Sequence, residues 1–426
     1  MAFQLSPGVN VSEIDLTTIV PSIATSIGGI AGNFNWGPVS EVVTISDEVR
    51  LVSRFGKPDS TNYEYWFSAA NFLAYSNNLK VVRAANTSST LNATANGSGV
   101  LIKNEDDYVS NRESASNTSY GPIGARWAGA LGNTLRVSIC PGSTAFSSNL
   151  TSTSSVTANA TSAGATTINV TGTATTNLYA GDLVSFDSGT TYLRTTAVNA
   201  TAIVVATAVG SAITVGTPIL RKWQYADQFG VAPGTSDFVS NKGGSNDEMH
   251  VIVIDEDGKF TGTANTVLEK YAFVSKASDA INGDGSTNYY KNVINSQSRY
   301  VWWMGHQPGS SSWGTAAAGT TYTNPNTAFS ASLSAGADGT IGNTEVIAAY
   351  NKMANPDSID ISLIVSGPGN ATVAASLITL AETRKDAMVF LSPTKASVVN
   401  NAGSESSAIV SFRDSLTSSS YAVMDS

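Results

Sequence analysis

Apolar positions along this chain follow two rhythms, one of helices and one of strands, and the rhythm changes several times between the ends. An apolar run through Ile27 and Ile30 is followed by Val42-Val43-Thr44-Ile45, and both have the β-branched content of strands. Ser46 or Asp47 can cap the helix that comes next; its spacing turns Val49, Leu51, Val52 and Phe55 inward, and Gly56 ends it. Trp66, Phe67, Ala70, Leu73 and Ala74 recur at helical spacing and predict a second helix over about residues 60–76, delivering the chain into a strand, Leu79-Lys80-Val81-Val82-Arg83. Near the other end the same alternation returns. A helix through Val346, Ile347, Tyr350 and Met353 precedes a strand at Ile361–Val365, a helix from Asn370 to Arg384 and a strand at Ala387–Leu391. Strand, helix and strand at this spacing predict a parallel βαβ unit with a right-handed crossover.

Between these segments the pattern is different. Residues 86–119 are rich in Ser, Thr, Asn and Gly, and order returns around Ile123–Trp127 and Leu131–Val137. From Cys140 to Leu220 only Asp182, Asp187 and Arg194 are charged, and short strands recur at Thr167–Thr171, Leu183–Phe186, Tyr192–Thr195, Ala202–Val205 and Ala212–Val215. After Trp223 come a strand at His250–Ile254, a hairpin turn at Asp255-Glu-Asp-Gly258, a predicted helix around Val267–Lys276 and a strand at Tyr300–Trp303. Gly305–Gly342 reads as loop.

These shifts predict a multidomain chain of α/β and α+β class. A discontinuous α/β core is expected from residues 23–90 and 343–426, a second α+β domain from 91–144 and 221–342, and an inserted β domain from 145–220. Residues 1–22 carry Pro7, Gly8 and Pro21 around Val9-Asn10-Val11-Ser12-Glu13-Ile14, an alternating run too isolated for a sheet of its own, and read as an arm. Pro21 and Gly28-Gly29 mark its expected pivot. No segment after Tyr421 stands out as an open sheet edge.

Composition narrows the chemistry. Only 13% of the 426 residues are charged, so Ser, Thr, Asn and Gly must solvate much of the surface. The formal charge of −9 is opposite to the footprint of a nucleic-acid binder. The uncharged stretch Thr201–Leu220 is broken by Gly210, Gly216 and Pro218, and reads as strands and a turn rather than a membrane span. One cysteine, Cys140, allows neither an intrachain disulfide nor a thiolate cluster, and its place in an apparent strand predicts an inert buried thiol.

The two histidines, His250 and His306, have no Gly-x-Ser-x-Gly elbow beside them and read as structural. Gly367-Pro368-Gly369-Asn370 lies between a strand and a helix, where a phosphate could be cradled; without a third fingerprint glycine or a P-loop Lys-Ser/Thr it reads as a turn with Asn370 as helix cap. Asp255, Asp257 and Asp284 invite a calcium site but lack EF-hand spacing, and their Asp-Gly pairs are ordinary turn chemistry. Trp302-Trp303 alternates across a strand, which would bury one ring and expose the other. No catalytic, cofactor-binding or metal residue is assigned.

Several patterns, taken in order, resemble the contractile tail sheath proteins of myovirus-like bacteriophages. They are Leu5-Ser-Pro-Gly-Val9 followed by Glu13, then Gly32-Asn-Phe-Asn-Trp36-Gly37-Pro38, Phe55-Gly56, Phe72-Leu73 and Val81-Val82-Arg83. Gly129-Ala-Leu-Gly-Asn133, Asp255–Gly258 through Leu268-Glu269, Asn288-Tyr-Tyr-Lys291 and Tyr421–Ser426 continue the set. The resemblance implies a structural, non-enzymatic subunit that polymerises as a helical sleeve around a tail tube and contracts to drive the tube through a host envelope. It implies as partners neighbouring copies of the chain, the tube protein and the baseplate, with no cofactor, nucleic acid or membrane insertion, and a place in the virion tail after assembly in the bacterial host cytoplasm.

Related chains of that family continue past the position of Ser426 into a region carrying much of the subunit contact, so the sequence is expected to be a C-terminally truncated fragment. Val9, Val11, Ser12, Glu13 and Ile14 are the candidate interface residues: an arm of this kind can add a strand to a neighbour's sheet, where main-chain hydrogen bonds hold it. A rival reading makes the Thr-rich insert a carbohydrate- or receptor-binding module of the phage surface. An enzyme using Asp255 or Asp257 is a third, lacking an opposed carboxylate.

Overall fold

The structure is a computed structural model that describes residues 27–113, 120–307 and 309–425. The arm, with Val9, Val11, Ser12, Glu13, Ile14 and Pro21, lies outside the described residues. The described chain is a mixture of helices and several sheets.

The first sheet draws strands from both ends of the chain: β1 (Gly28–Gly32), β2 (Val42–Ile45), β3 (Leu79–Arg83), β4 (Leu363–Val365), β5 (Met388–Leu391) and β6 (Ala422–Met424), in the order β2-β3-β1-β4-β5-β6. Every pairing is parallel except the antiparallel edge pair β2–β3. Parallel strands need helices on their faces, and the residues supply them. On one face α1 (Glu48–Phe55) and α2 (Tyr63–Leu73) cover Ile30, Ile45, Leu79 and Val81. On the other, α3 (Asn343–Tyr350), α4 (Ala371–Arg384) and α5 (Glu405–Asp414) cover Ala31, Val82, Ile364, Val389 and Leu391. Alternate residues of one strand thus serve two cores, as the strand period requires.

Local chemistry sets the ends of these helices. Asp47 caps α1 by accepting the Arg50 amide at 2.8 Å, and Gly56, at φ +83°, closes it. Asn370 caps α4 through the amides of Thr372 and Val373, which settles the Gly367–Asn370 segment as a turn and cap.

Gly28 and Gly29 are no pivot: both sit in β1 between β3 and β4, and a Cβ on Gly28 would lie 2.4 Å from the Phe72 ring. Gly32 is under the same constraint from Tyr65, at 2.1 Å. Glycine lets α2 lie directly on the strand. The inward sets also need correction. Val49 is 78% exposed and Phe67 49% exposed, while Leu51, Phe55, Trp66 and Ala69 are buried. Each short helix buries a narrower stripe than the sequence pattern offered. Ala422–Met424, where no open edge was expected, forms the edge strand β6.

The second sheet is antiparallel and four-stranded, in the order Thr266–Ser275, Glu248–Asp255, Leu135–Cys140, Phe329–Ser332. Its first strand replaces the helix predicted at Val267–Lys276. Val267, Tyr271, Phe273 and Val274 are good strand formers, and pairing along Glu248–Asp255 overrides the helix preference of Glu269, Lys270 and Ala272. Phe329–Ser332 falls in the segment read as loop. A two-stranded ribbon pairs Ile123–Ala125 with Val301–Trp303. Trp302 and Trp303 are both buried: Tyr108, on a helix at Glu105–Asn111 within the Ser/Thr-rich segment, stacks on Trp302 at 4.1 Å, and Tyr290 packs against Trp303.

An eight-stranded antiparallel sheet occupies Ser147–Lys222 around its own core of Ile168, Val170, Val184, Ile203 and Val205. Its entering and leaving strands, Ser147–Asn149 and Leu220–Lys222, pair with each other. The strand expected at Ala212–Val215 is reduced to a single bridge from Ile213 to Thr161.

Candidate functional site

Each chemical candidate from the sequence is engaged in holding the fold. His250 is buried; its Nε2 donates to the Val231 carbonyl at 2.9 Å and its Nδ1 accepts the Phe273 amide at 3.1 Å, so both nitrogens are used. Burial lowers its pKa and keeps the ring neutral. His306 Nδ1 shares a 2.6 Å hydrogen bond with Tyr290 Oη, far from His250 in the chain and on a different segment.

Asp255 is buried with both oxygens occupied: Oδ1 by the Thr134 hydroxyl, Oδ2 by the amides of Phe260 and Thr261 and the Thr261 hydroxyl. It closes the 256–265 loop and has no lone pair left over for a cation. Asp257 points to solvent, and Asp284 binds the Ser286 amide and hydroxyl within its own turn. Among the described residues no three His, Cys, Asp or Glu side chains converge as a metal site, and no helix is long and apolar enough to cross a membrane. Cys140 is buried, and burial pushes its thiol up to about 12, which makes it a poor nucleophile.

What the structure does assemble is a set of buried cations at the junctions between sheets. Arg83, the last residue of β3, donates Nη1 to the carbonyls of Gly37 at 3.0 Å and Ala128 at 2.7 Å, fastening the first sheet to the segment that leads into the second. Arg126 lies 3.4 Å above the Trp302 ring and donates to the Asn295 carbonyl. Lys276 is fully buried, and its ammonium reaches the carbonyls of Pro141, Asn246 and Glu248 at 2.6, 3.0 and 2.7 Å. Three donors meet three acceptors from separate segments, a satisfied clamp.

At the stem of the eight-stranded sheet Arg221 and Asp182 form a buried ion pair at 2.9 Å, and Arg221 also donates to the Ala145 carbonyl at 2.7 Å. Burial pushes Lys276 down to about 7 and both Arg83 and Arg126 down to about 10. In a chain with so few charges, these cations work as internal cross-braces. The sequence contained one hint of them: Arg83 ends an apolar strand, where a charge must find partners to be buried.

A chain whose candidate catalytic groups are all consumed by the fold, and whose sheets are braced against one another, belongs with structural proteins. The relatives make the class specific. Residues 25–84, covering β1 through β3, match the family model described as the tail sheath protein Gp18 domain III N-terminal region. The tail sheath protein of Salmonella phage ViI is 26% identical in an alignment that takes in all of this chain and 66% of the relative. The tail sheath protein of Enterobacteria phage T4 is 38% identical over 90 residues, 21% of this chain and 14% of the relative.

The chain therefore belongs with the tail sheath proteins of contractile-tailed phages. It spans less than two thirds of the length of these relatives. Two solved sheath tail proteins, from Desulfitobacterium hafniense and Listeria innocua, align over 91% and 92% of this chain and 52% and 56% of their own at 12% and 9% identity; their TM-scores of 0.37 and 0.36 carry no argument about the fold.

Proposed function

We propose that the chain is a structural subunit of a phage contractile tail sheath, polymerising as a helical sleeve around the tail tube and shortening to drive the tube through the host envelope. The observation that carries this reading is the likeness to the ViI tail sheath protein along the entire chain, together with the family match over 25–84. Partners follow from the role: neighbouring copies of the chain, the tube protein and the baseplate, met in the host cytoplasm where tails are built. The work of contraction would come from the difference between two packings of rigid subunits and needs no catalytic residue. Braces such as Arg83 and Lys276 suit such a subunit, because strain applied at one sheet is passed to the next rather than absorbed.

Within this reading residues 23–90 and 343–426 act as one discontinuous core, 91–144 and 221–342 as a second domain, and 145–220 as an insert on the outer side of the sleeve. The mixed origin of the first sheet and the paired stem strands of the eight-stranded one support that division. The arm, through Val9, Val11, Ser12, Glu13 and Ile14, would add a strand to a neighbour. The double variant Val9→Pro, Val11→Pro removes two ladder donors from a segment outside the described body. It should abolish sleeve formation by the complete protein, seen by light scattering and negative-stain imaging, while the circular dichroism spectrum stays unchanged. Normal sleeves from that variant would refute the strand-donating arm.

A further inference from the structure

The edge strand β2 borders the largest cleft between the first sheet and the second part of the chain, a space of about 720 Å3. Val43, Thr44 and Ile45 form one wall, and among the described residues no strand pairs with the outer edge of β2. Arg50 and Arg54 line the cleft from α1, four residues apart and so on one helix face. Arg126 and Arg299 reach it from the other side.

Four guanidinium groups in one cleft stand out in a chain with 23 basic and 32 acidic residues. Acidic side chains stand at its margin, but the ion pairs are loose: Arg50 to Asp47 at 3.8 Å, Arg54 to Glu41 at 4.0 Å and Arg126 to Glu105 at 3.8 Å. All three exceed hydrogen-bond length, ~3.2 Å at most, so the forked donors are not spent on these carboxylates.

We infer that this cleft is a docking site for an extended, carboxylate-bearing segment of a second copy of the chain, added as a strand to the free edge of β2 with its acidic side chains received by Arg50, Arg54 and Arg299. A free sheet edge supplies main-chain donors and acceptors along its length, and the flanking arginines select the sequence that lies there. The occupant is a second copy because the net charge of −9 gives each copy an excess of carboxylates to offer. This contact is separate from the N-terminal arm and stands or falls without it.

Sedimentation equilibrium of the 426-residue chain tests the inference. Self-association is expected in low salt, weakened in high salt, and weakened at least about tenfold by the pair Arg50→Glu, Arg299→Glu. Both side chains face solvent, so the pair should leave the circular dichroism spectrum intact, and Arg50→Lys with Arg299→Lys should recover most of the association. The dodecapeptide (Thr-Glu)6 should compete, whereas (Thr-Lys)6 should fail for lack of carboxylates and (Pro-Glu)6 for lack of ladder donors. A monomer at every concentration in low salt would overturn the inference, as would association indifferent to the charge-reversed pair or equal competition by (Pro-Glu)6. Peptide binding without self-association would assign the cleft to another acidic protein and contradict the occupant named here.

Discussion

The six-stranded and eight-stranded sheets solve the same problem of burial by opposite means. The first is almost wholly parallel, buried on both faces over β1 and β3, and built from segments more than 250 residues apart in the chain. The second is antiparallel, continuous in sequence, and closed by pairing its own first and last strands. The first joins its neighbour through Arg83 and backbone contacts spread over several segments, while the second is anchored at its stem by the Arg221–Asp182 pair. The match to the sheath family model falls on the first sheet. A sheet built from distant segments tolerates little change in any one of them, whereas a module closed at its stem can vary freely.

The largest expected effect comes from cutting that stem. Asp182→Ala leaves Arg221 buried without its carboxylate, and losing one partner of a buried pair costs ~3–5 kcal/mol. Hydrogen exchange should show loss of protection in strands between residues 157 and 205 while β1 and β3 keep theirs; equal loss in both would show that the two sheets unfold as one unit. Replacing 147–222 with a short Gly/Ser linker removes both members of the pair together and should leave cooperative unfolding of the remainder intact.

The second test reverses the comparison. Gly28→Ala places a methyl against the Phe72 ring, and overpacking of this kind costs ~1–3 kcal/mol. Urea denaturation should show the loss in the first sheet with the eight-stranded sheet unaffected. A neutral result would mean that α2 can lift off β1 without penalty.

Lys276 provides a pH test of the brace between segments. Its folded pKa is pushed down to about 7, below the ordinary lysine value near 10.5, so between those limits the unfolded chain holds a proton that the folded chain has released. Stability contributed by this group therefore rises with pH from about 7 to about 10, by at most ~1.4 kcal/mol per pH unit, and is flat below 7. Thermal unfolding of Lys276→Met should lack that rise, and identical pH slopes in the two proteins would contradict it. The smallest effect is at a helix end: Asn370→Ala removes the acceptor for the Thr372 and Val373 amides and should cost ~1 kcal/mol in the same urea experiment.

Local signals in the sequence were reliable where the structure they specify is local. Val42–Ile45, Leu79–Arg83, the Asp47 cap with Gly56, and the Asn370–Arg384 helix followed by a parallel strand are all formed as the residues predict. Where partners lie far away in the chain, the local pattern failed. Thr266–Ser275 carries helix formers but is held as a strand by Glu248–Asp255, and Val49 fits an inward stripe that its short helix leaves in solvent. The junction cations were least legible, because Lys276 and Arg126 read as surface charges until the carbonyls and rings around them are brought together by the fold. Of the arm, only the alternation of Val9, Val11 and Ile14 speaks.

Immunogold labelling of intact tails tests the central claim most directly, with antibodies raised against this 426-residue chain and applied to virions that carry it. A sheath subunit predicts label repeating along the whole length of the extended tail and crowding together after contraction. Label confined to the tail tip, with the shaft bare, would contradict the account and return the chain to the class of receptor-binding modules.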